Sequence, residues 1–154
     1  MKNCFMIVDD NALVCRATAL LVGYASGCPV QCCGNGDEAL CALKNDPGAF
    51  ACVITDFDMP GMNGLELGGH LRALAPDTKL LLMTGTPGAL DDADIRRHGF
   101  ECMLAKPFDL AAVKEVLRRI LPEFNNSPAC GSRDPYGRGI SFFEGSHGIR
   151  HAVV

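Results

Sequence analysis

The sequence has no tryptophan, only two tyrosines and 6% aromatic residues, so its interior must be built mainly from aliphatic side chains. It has no excess of positive charge either. A formal charge of −4 gives the chain as a whole no electrostatic attraction for nucleic acid or anionic lipid. No apolar run approaches the ~20 residues of a membrane span. Met1-Lys2-Asn3 leads into only five apolar residues before Asp9-Asp10, which is too short for a secretory signal. The expectation is a cytoplasmic protein without membrane association. Also missing is any Cys-x-x-Cys pair, although the chain holds nine cysteines. An odd count in a chain of this size argues against a disulfide framework. Cys28, Cys32 and Cys33 match no standard zinc spacing, and Cys4, Cys52 and Cys102 lie in apolar runs where a thiol acts as a small hydrophobe. His147 and His151 fall in glycine-rich surroundings and read as solvated.

What is present is alternation. Apolar runs at Cys4–Val8, Pro29–Cys33, Ala51–Thr55, Lys79–Met83 and Glu101–Ala105 are each followed by a segment with helical periodicity. The first helix carries Leu13, Ala17, Leu20, Leu21 and Tyr24 on one face, the side expected to pack. The second starts at Asn35-Gly36 and buries Ala39, Leu40 and Leu43. The third runs from about Asn63 to Leu74, weakened by Gly68-Gly69, and the fourth spans roughly 89–98 before Gly99. The last is capped by Asp109, with Val113, Val116, Leu117, Ile120 and Leu121 as its buried stripe and Phe108 as a staple. Five strand–helix units predict a largely parallel sheet with helices on both faces. Residues 1–124 make this domain. Residues 125–154 hold five glycines and two prolines and are expected to be a flexible or loosely packed tail, with Phe142-Phe143 as a candidate docking point.

In such a sheet, ligands gather beyond the carboxyl ends of the strands. Strand one ends in Asp9-Asp10, strand three in Asp56, strand four in Thr84 and strand five in Lys106. Neighbouring strands lie ~4.8 Å apart, so these carboxylates converge if strands one and three are adjacent. Clustered carboxylates repel, and a hard divalent cation such as Mg²⁺ relieves the repulsion while keeping waters that a phosphate can displace. Lys106 would add a fixed positive charge and Thr84 a hydroxyl for the remaining phosphate oxygens. The set reads as phosphoryl transfer. Singly, each residue is equally compatible with a strand-end turn or helix cap.

The same residues carry a resemblance. Asp9-Asp10, "DFDMPGMNG" from Asp56, "TG" at Thr84-Gly85, "KPF" at Lys106-Pro107-Phe108 and "NGDEAL" from Asn35 resemble the receiver domain of two-component response regulators, over about residues 3–122. The resemblance implies a flavodoxin-like doubly wound five-stranded parallel sheet of order 2-1-3-4-5 and a signalling domain rather than an enzyme, self-catalysing at most its own phosphorylation and dephosphorylation. Asp56 would accept a phosphoryl group from a sensor histidine kinase or phosphotransfer protein. Asp10, Asp56 and the backbone carbonyl of Asp58 would bind Mg²⁺, with Asp9 acting through a water. Thr84 and Lys106 would contact phosphoryl oxygens, and the Lys106-Pro107 peptide would be cis. Asp58 and Thr86 would flank the path of an attacking water. Met103 replaces the aromatic residue that receivers usually carry three positions before the lysine, and it reads as core packing.

No effector pattern follows residue 124, which implies a stand-alone receiver acting on a downstream protein that the sequence does not identify. The acidic and basic surface near 89–100 is one candidate partner face. Family members dimerise through the fourth and fifth helices, and no residue here selects or rejects that. Two rivals remain: a degenerate receiver serving as a binding module, and a small phosphohydrolase of the haloacid-dehalogenase type. The paired aspartates at the wrong end of the chain weigh against the second.

Overall fold

In the computed structural model, which describes residues 2–126 and 142–144, the strands are β1 (Cys4–Val8), β2 (Val30–Cys33), β3 (Phe50–Asp56), β4 (Lys79–Thr84), β5 (Cys102–Ala105) and β6 (Phe142–Glu144). The helices between them are α1 (Ala12–Ser26), α2 (Gly36–Asn45), α3 (Gly64–Leu74), α4 (Asp92–Arg97) and α5 (Leu110–Ile120). Every strand pairing is parallel, and the sheet order is β5-β4-β3-β1-β2-β6. Strands one to five therefore follow the expected 2-1-3-4-5 order. The addition is β6, which pairs Val30 with Phe142 at the outer edge of β2. The rest of the tail, with the expected flexibility and His147 and His151, lies outside the described residues.

Strands covered on both faces explain the continuous apolar runs. Phe5, Ile7 and Ile54 face one layer with α1 and α5, while Met6, Val8, Val53 and Leu82 face the other with α2, α3 and Ile95 of α4. The helix starts follow side-chain caps. Asn11, Asn35, Asn63 and Asp109 each accept backbone N–H bonds, and Asn63 forms a reciprocal capping box with Glu66. Phe108 packs against the apolar cluster that contains Val113, the side on which a staple would form.

Two expectations fail. The fourth helix begins at Asp92, because Asp91 caps it through the Asp94 N–H at 2.7 Å, and Pro87–Ala89 forms a separate 3-10 turn. More consequentially, most of the apolar stripe of α1 faces outward: Leu13 is 78%, Leu20 49% and Tyr24 62% exposed, and of its large residues only Leu21 packs against the core. The side toward the sheet is made of small residues, Cys15, Thr18, Ala19, Val22 and Gly23, which let the helix approach closely. Lys114 of α5 lies 5.5 Å above the Tyr24 ring. No helix among the described residues is long and apolar enough to cross a membrane.

Candidate functional site

Parallel pairing brings the strand ends to one rim. β1 lies between β2 and β3, with Val8 opposite Thr55, so Asp9 follows β1 beside Asp56 at the end of β3. Carboxylate oxygens of Asp9, Asp10 and Asp56 lie within 4.8 Å of one another. Lys106, just beyond β5, reaches across β4 to place its Nζ 2.9 Å from Asp9 Oδ2 and 3.0 Å from Asp56 Oδ1. The Lys106-Pro107 peptide is cis, as expected.

Burial sets the electrostatics. The Asp9 side chain is 1% and the Asp56 side chain 8% exposed, whereas Asp10 and Asp58 face solvent. Burial is the main influence on Asp56 and raises its pKa from the usual carboxylate value; Lys106 opposes this without cancelling it, and Asp9 and Asp58 add repulsion. For Lys106, burial alone would lower the ammonium pKa, but the hydrogen bonds and charges of Asp9 and Asp56 together outweigh it and raise the value. One ammonium thus faces three carboxylates. An all-oxygen donor set with excess negative charge and one open flank fits a hard divalent cation that retains waters.

Thr84 ends β4 fully buried. Its Oγ1 accepts the Thr86 N–H at 3.0 Å and lies 3.3 Å from Thr86 Oγ1. It shares the rim but is held by its own loop rather than by the carboxylate cluster. Met103 is half-buried and packs against the α2–α3 apolar layer.

Two residues at the site escape a reading of the sequence. The Asn11 N–H donates to Asp9 Oδ1 at 2.9 Å while its side chain caps α1, so the helix start and the buried acid are fixed together. Gly64 opens α3 against the acceptor loop, with its N–H 3.0 Å from the Phe57 carbonyl. A Cβ there would collide with the Asp56 carbonyl oxygen and approach Leu82 Cδ1 at 2.9 Å. The only signal was position, a glycine at a helix start, and that alone reads as an ordinary turn.

The rim and the 2-1-3-4-5 sheet define a doubly wound domain with a buried acidic pocket at its switch point. A family model described as the response regulator receiver domain matches residues 5–118, and the chain belongs to that family, a signalling family. The transcriptional activator protein ExaE of Pseudomonas putida is 35% identical over 121 residues, covering 75% of this chain and 54% of its own length. The response regulator receiver protein CpdR of Brucella abortus is 28% identical over 121 residues, covering 79% of this chain and 98% of that protein. Other relatives are longer: the chain spans 16% of the transcription factor SKN7 of Chaetomium thermophilum, at 27% identity over 80% of this chain. Among solved structures, the Vibrio cholerae chemotaxis protein CheY4 superimposes with TM-score 0.70 at 24% identity, over 79% of this chain and all of that one. That likeness shows the fold. Family membership leaves the phosphohydrolase resemblance without support.

Proposed function

We propose that this chain is a phosphoacceptor: Asp56 takes a phosphoryl group from a phosphohistidine on a sensor kinase or phosphotransfer protein. The observation that carries the reading is the Lys106 ammonium bridging Asp9 and Asp56 inside a three-carboxylate cluster. An Asp56 oxygen attacks phosphorus as the donor's N–P bond breaks and its electron pair returns to the imidazole. Such a transfer depends on positioning and charge neutralisation more than on covalent assistance. Asp9, Asp10 and Asp56, with the Asp58 backbone carbonyl, would hold Mg²⁺, which when bound supplies positive charge against the phosphoryl oxygens. Lys106 supplies a second cation, and Thr84 turns its hydroxyl from Thr86 to a phosphoryl oxygen. That turn loosens the loop after β4 and alters the surface presented to a downstream protein. The domain proper is assigned to residues 1–124, with 125–154 as an appendage. A cytoplasmic setting fits such a donor, and this domain passes its state on through contact with a downstream protein.

The test uses a small phosphodonor with Mg²⁺ and intact mass. Wild type should gain one phosphate, and Asp56→Asn none; an unmodified wild type would favour the binding-module reading. The exposed α1 stripe supports a protein donor, because Leu13, Leu20 and Tyr24 climb the helix that starts directly after Asp10-Asn11. Leu20→Glu should slow transfer from a phosphohistidine protein by about tenfold, equivalent to ~1.4 kcal/mol of docking, and leave the small-donor rate unchanged. Equal slowing with both donors would detach the stripe from docking.

A further inference from the structure

We propose that Cys15 and Cys32 form an oxidation-sensitive dithiol that closes to a disulfide between α1 and β2 when the protein meets hydrogen peroxide. The proposal is independent of the phosphotransfer reading. The described cysteines carry no disulfide, and most are packing residues. The three cysteines crowded in sequence separate in space, with Cys33 in the α2–α3 layer and Cys28 and Cys32 in the α1–α5 layer with Cys15.

Cys15 sits on the sheet-facing side of α1, 3% exposed. Its Sγ lies 3.6 Å from the Ile7 carbonyl and 4.0 Å from the Cys33 carbonyl, directly over the β1–β2 seam. The register of that seam places Cys32 opposite Ile7, and Cys32 packs into the same α1–α5 layer as Cys15. A buried thiol surrounded by hydrocarbon is inert; here the neighbour is a second sulfur, itself only half-buried. Cys15 is the more deeply buried of the two, and the neighbouring Cys32, and then burial, push its thiol well up, so Cys15 keeps its proton and serves as the resolving group.

Oxidation therefore enters at Cys32. Its sulfur attacks a peroxide oxygen, the O–O bond breaks, and sulfenic acid and water result. The Cys15 sulfur then attacks the sulfenic sulfur. The S–S bond forms, the S–O bond breaks, and the departing hydroxide takes the Cys15 proton as water. Two electrons pass from the sulfur pair to peroxide. The crosslink would fix the first turns of α1 to β2, whose last residue, Cys33, accepts the Asp9 N–H at 3.1 Å.

The test treats the folded full chain with stoichiometric peroxide, unfolds it and blocks the remaining thiols with N-ethylmaleimide. Intact mass should show two fewer adducts than the nine of the reduced chain, dithiothreitol should restore them, and fragmentation should join Cys15 to Cys32 within one chain. Cys15→Ala and Cys32→Ser should each abolish that link. Cys32→Ser alters a half-buried position and keeps the test available should Cys15→Ala fail to fold. A full set of adducts on wild type, a link through Cys28, or a link only between two copies would each overturn the proposal.

Discussion

Lys106→Met should destabilise the protein by ~3–5 kcal/mol, the usual cost of removing one partner from a buried ion pair, against a total stability of ~5–15 kcal/mol. The ammonium contacts Asp9 at 2.9 Å and Asp56 at 3.0 Å. Without it, two buried carboxylates face each other and Asp10 with no cation among them. The measurable result is a lower urea midpoint at unchanged slope. Two conditions should recover it. Mg²⁺ should restore stability by binding only the folded site. Acid should narrow the gap from wild type, because the folded-state pKa of Asp56 is already raised by burial and rises further without the lysine. A raised carboxyl costs stability above its folded pKa, and the cost disappears as pH falls toward its unfolded value. Adding Asp56→Asn to Lys106→Met should cost less than the sum of the two changes. Phosphorylation of Lys106→Met from a small donor should slow by about a hundredfold or more, the scale of losing one preorganised charge-stabilising donor.

The second large effect concerns a single methyl group. Gly64→Ala places a Cβ against the Asp56 carbonyl oxygen, 2.9 Å from Leu82 Cδ1 and 3.0 Å from Phe57 Cα. Two of these three neighbours are backbone, so the start of α3 or the acceptor loop must shift. Overpacking of this kind costs ~1–3 kcal/mol, and displacing a reacting group by ~1 Å costs about a hundredfold in rate. Phosphate incorporation should therefore fall far more than the loss of stability explains, as measured by the initial rate with a small phosphodonor at a temperature where the variant is fully folded. Gly69→Ala, on the same helix, is the control. Nothing lies within 4 Å of a Cβ there, so the substitution should add up to ~1 kcal/mol through helix propensity and leave phosphorylation unchanged. Equal phosphorylation rates in the two variants would show that the approach of α3 to Asp56 does not set the acceptor geometry.

These contrasts also mark what the sequence discloses. Apolar runs such as those in Cys4–Val8 and Lys79–Met83 fit strands covered on both sides, and each ran into the polar residue that the rim now holds. Asp9, Asp10, Asp56, Thr84 and Lys106 were legible because four separate runs repeated the same ending. The orientation of α1 was not legible, since it has two surfaces without charge. Periodicity finds the larger side chains of Leu13, Leu20 and Tyr24, but the sheet accepts the smaller Cys15, Thr18, Ala19 and Val22. Gly64 was hidden because a turn glycine and a glycine needed for close approach look alike until the opposing backbone is known. The bond from Thr86 to Thr84 depends on loop geometry after β4 that no spacing encodes, and β6 depends on a pairing partner more than 100 positions away in the chain.

The most direct measurement is the position of the phosphoryl group. The protein would be phosphorylated with a small phosphodonor and Mg²⁺, reduced with borohydride, which converts an aspartyl phosphate to homoserine, and sequenced by tandem mass spectrometry. Homoserine at position 56 is the predicted result, lost when Mg²⁺ is withheld or Asp10 is changed to Asn. Homoserine elsewhere, or a label at position 56 that forms equally well without Mg²⁺ and without Asp10, would contradict the account.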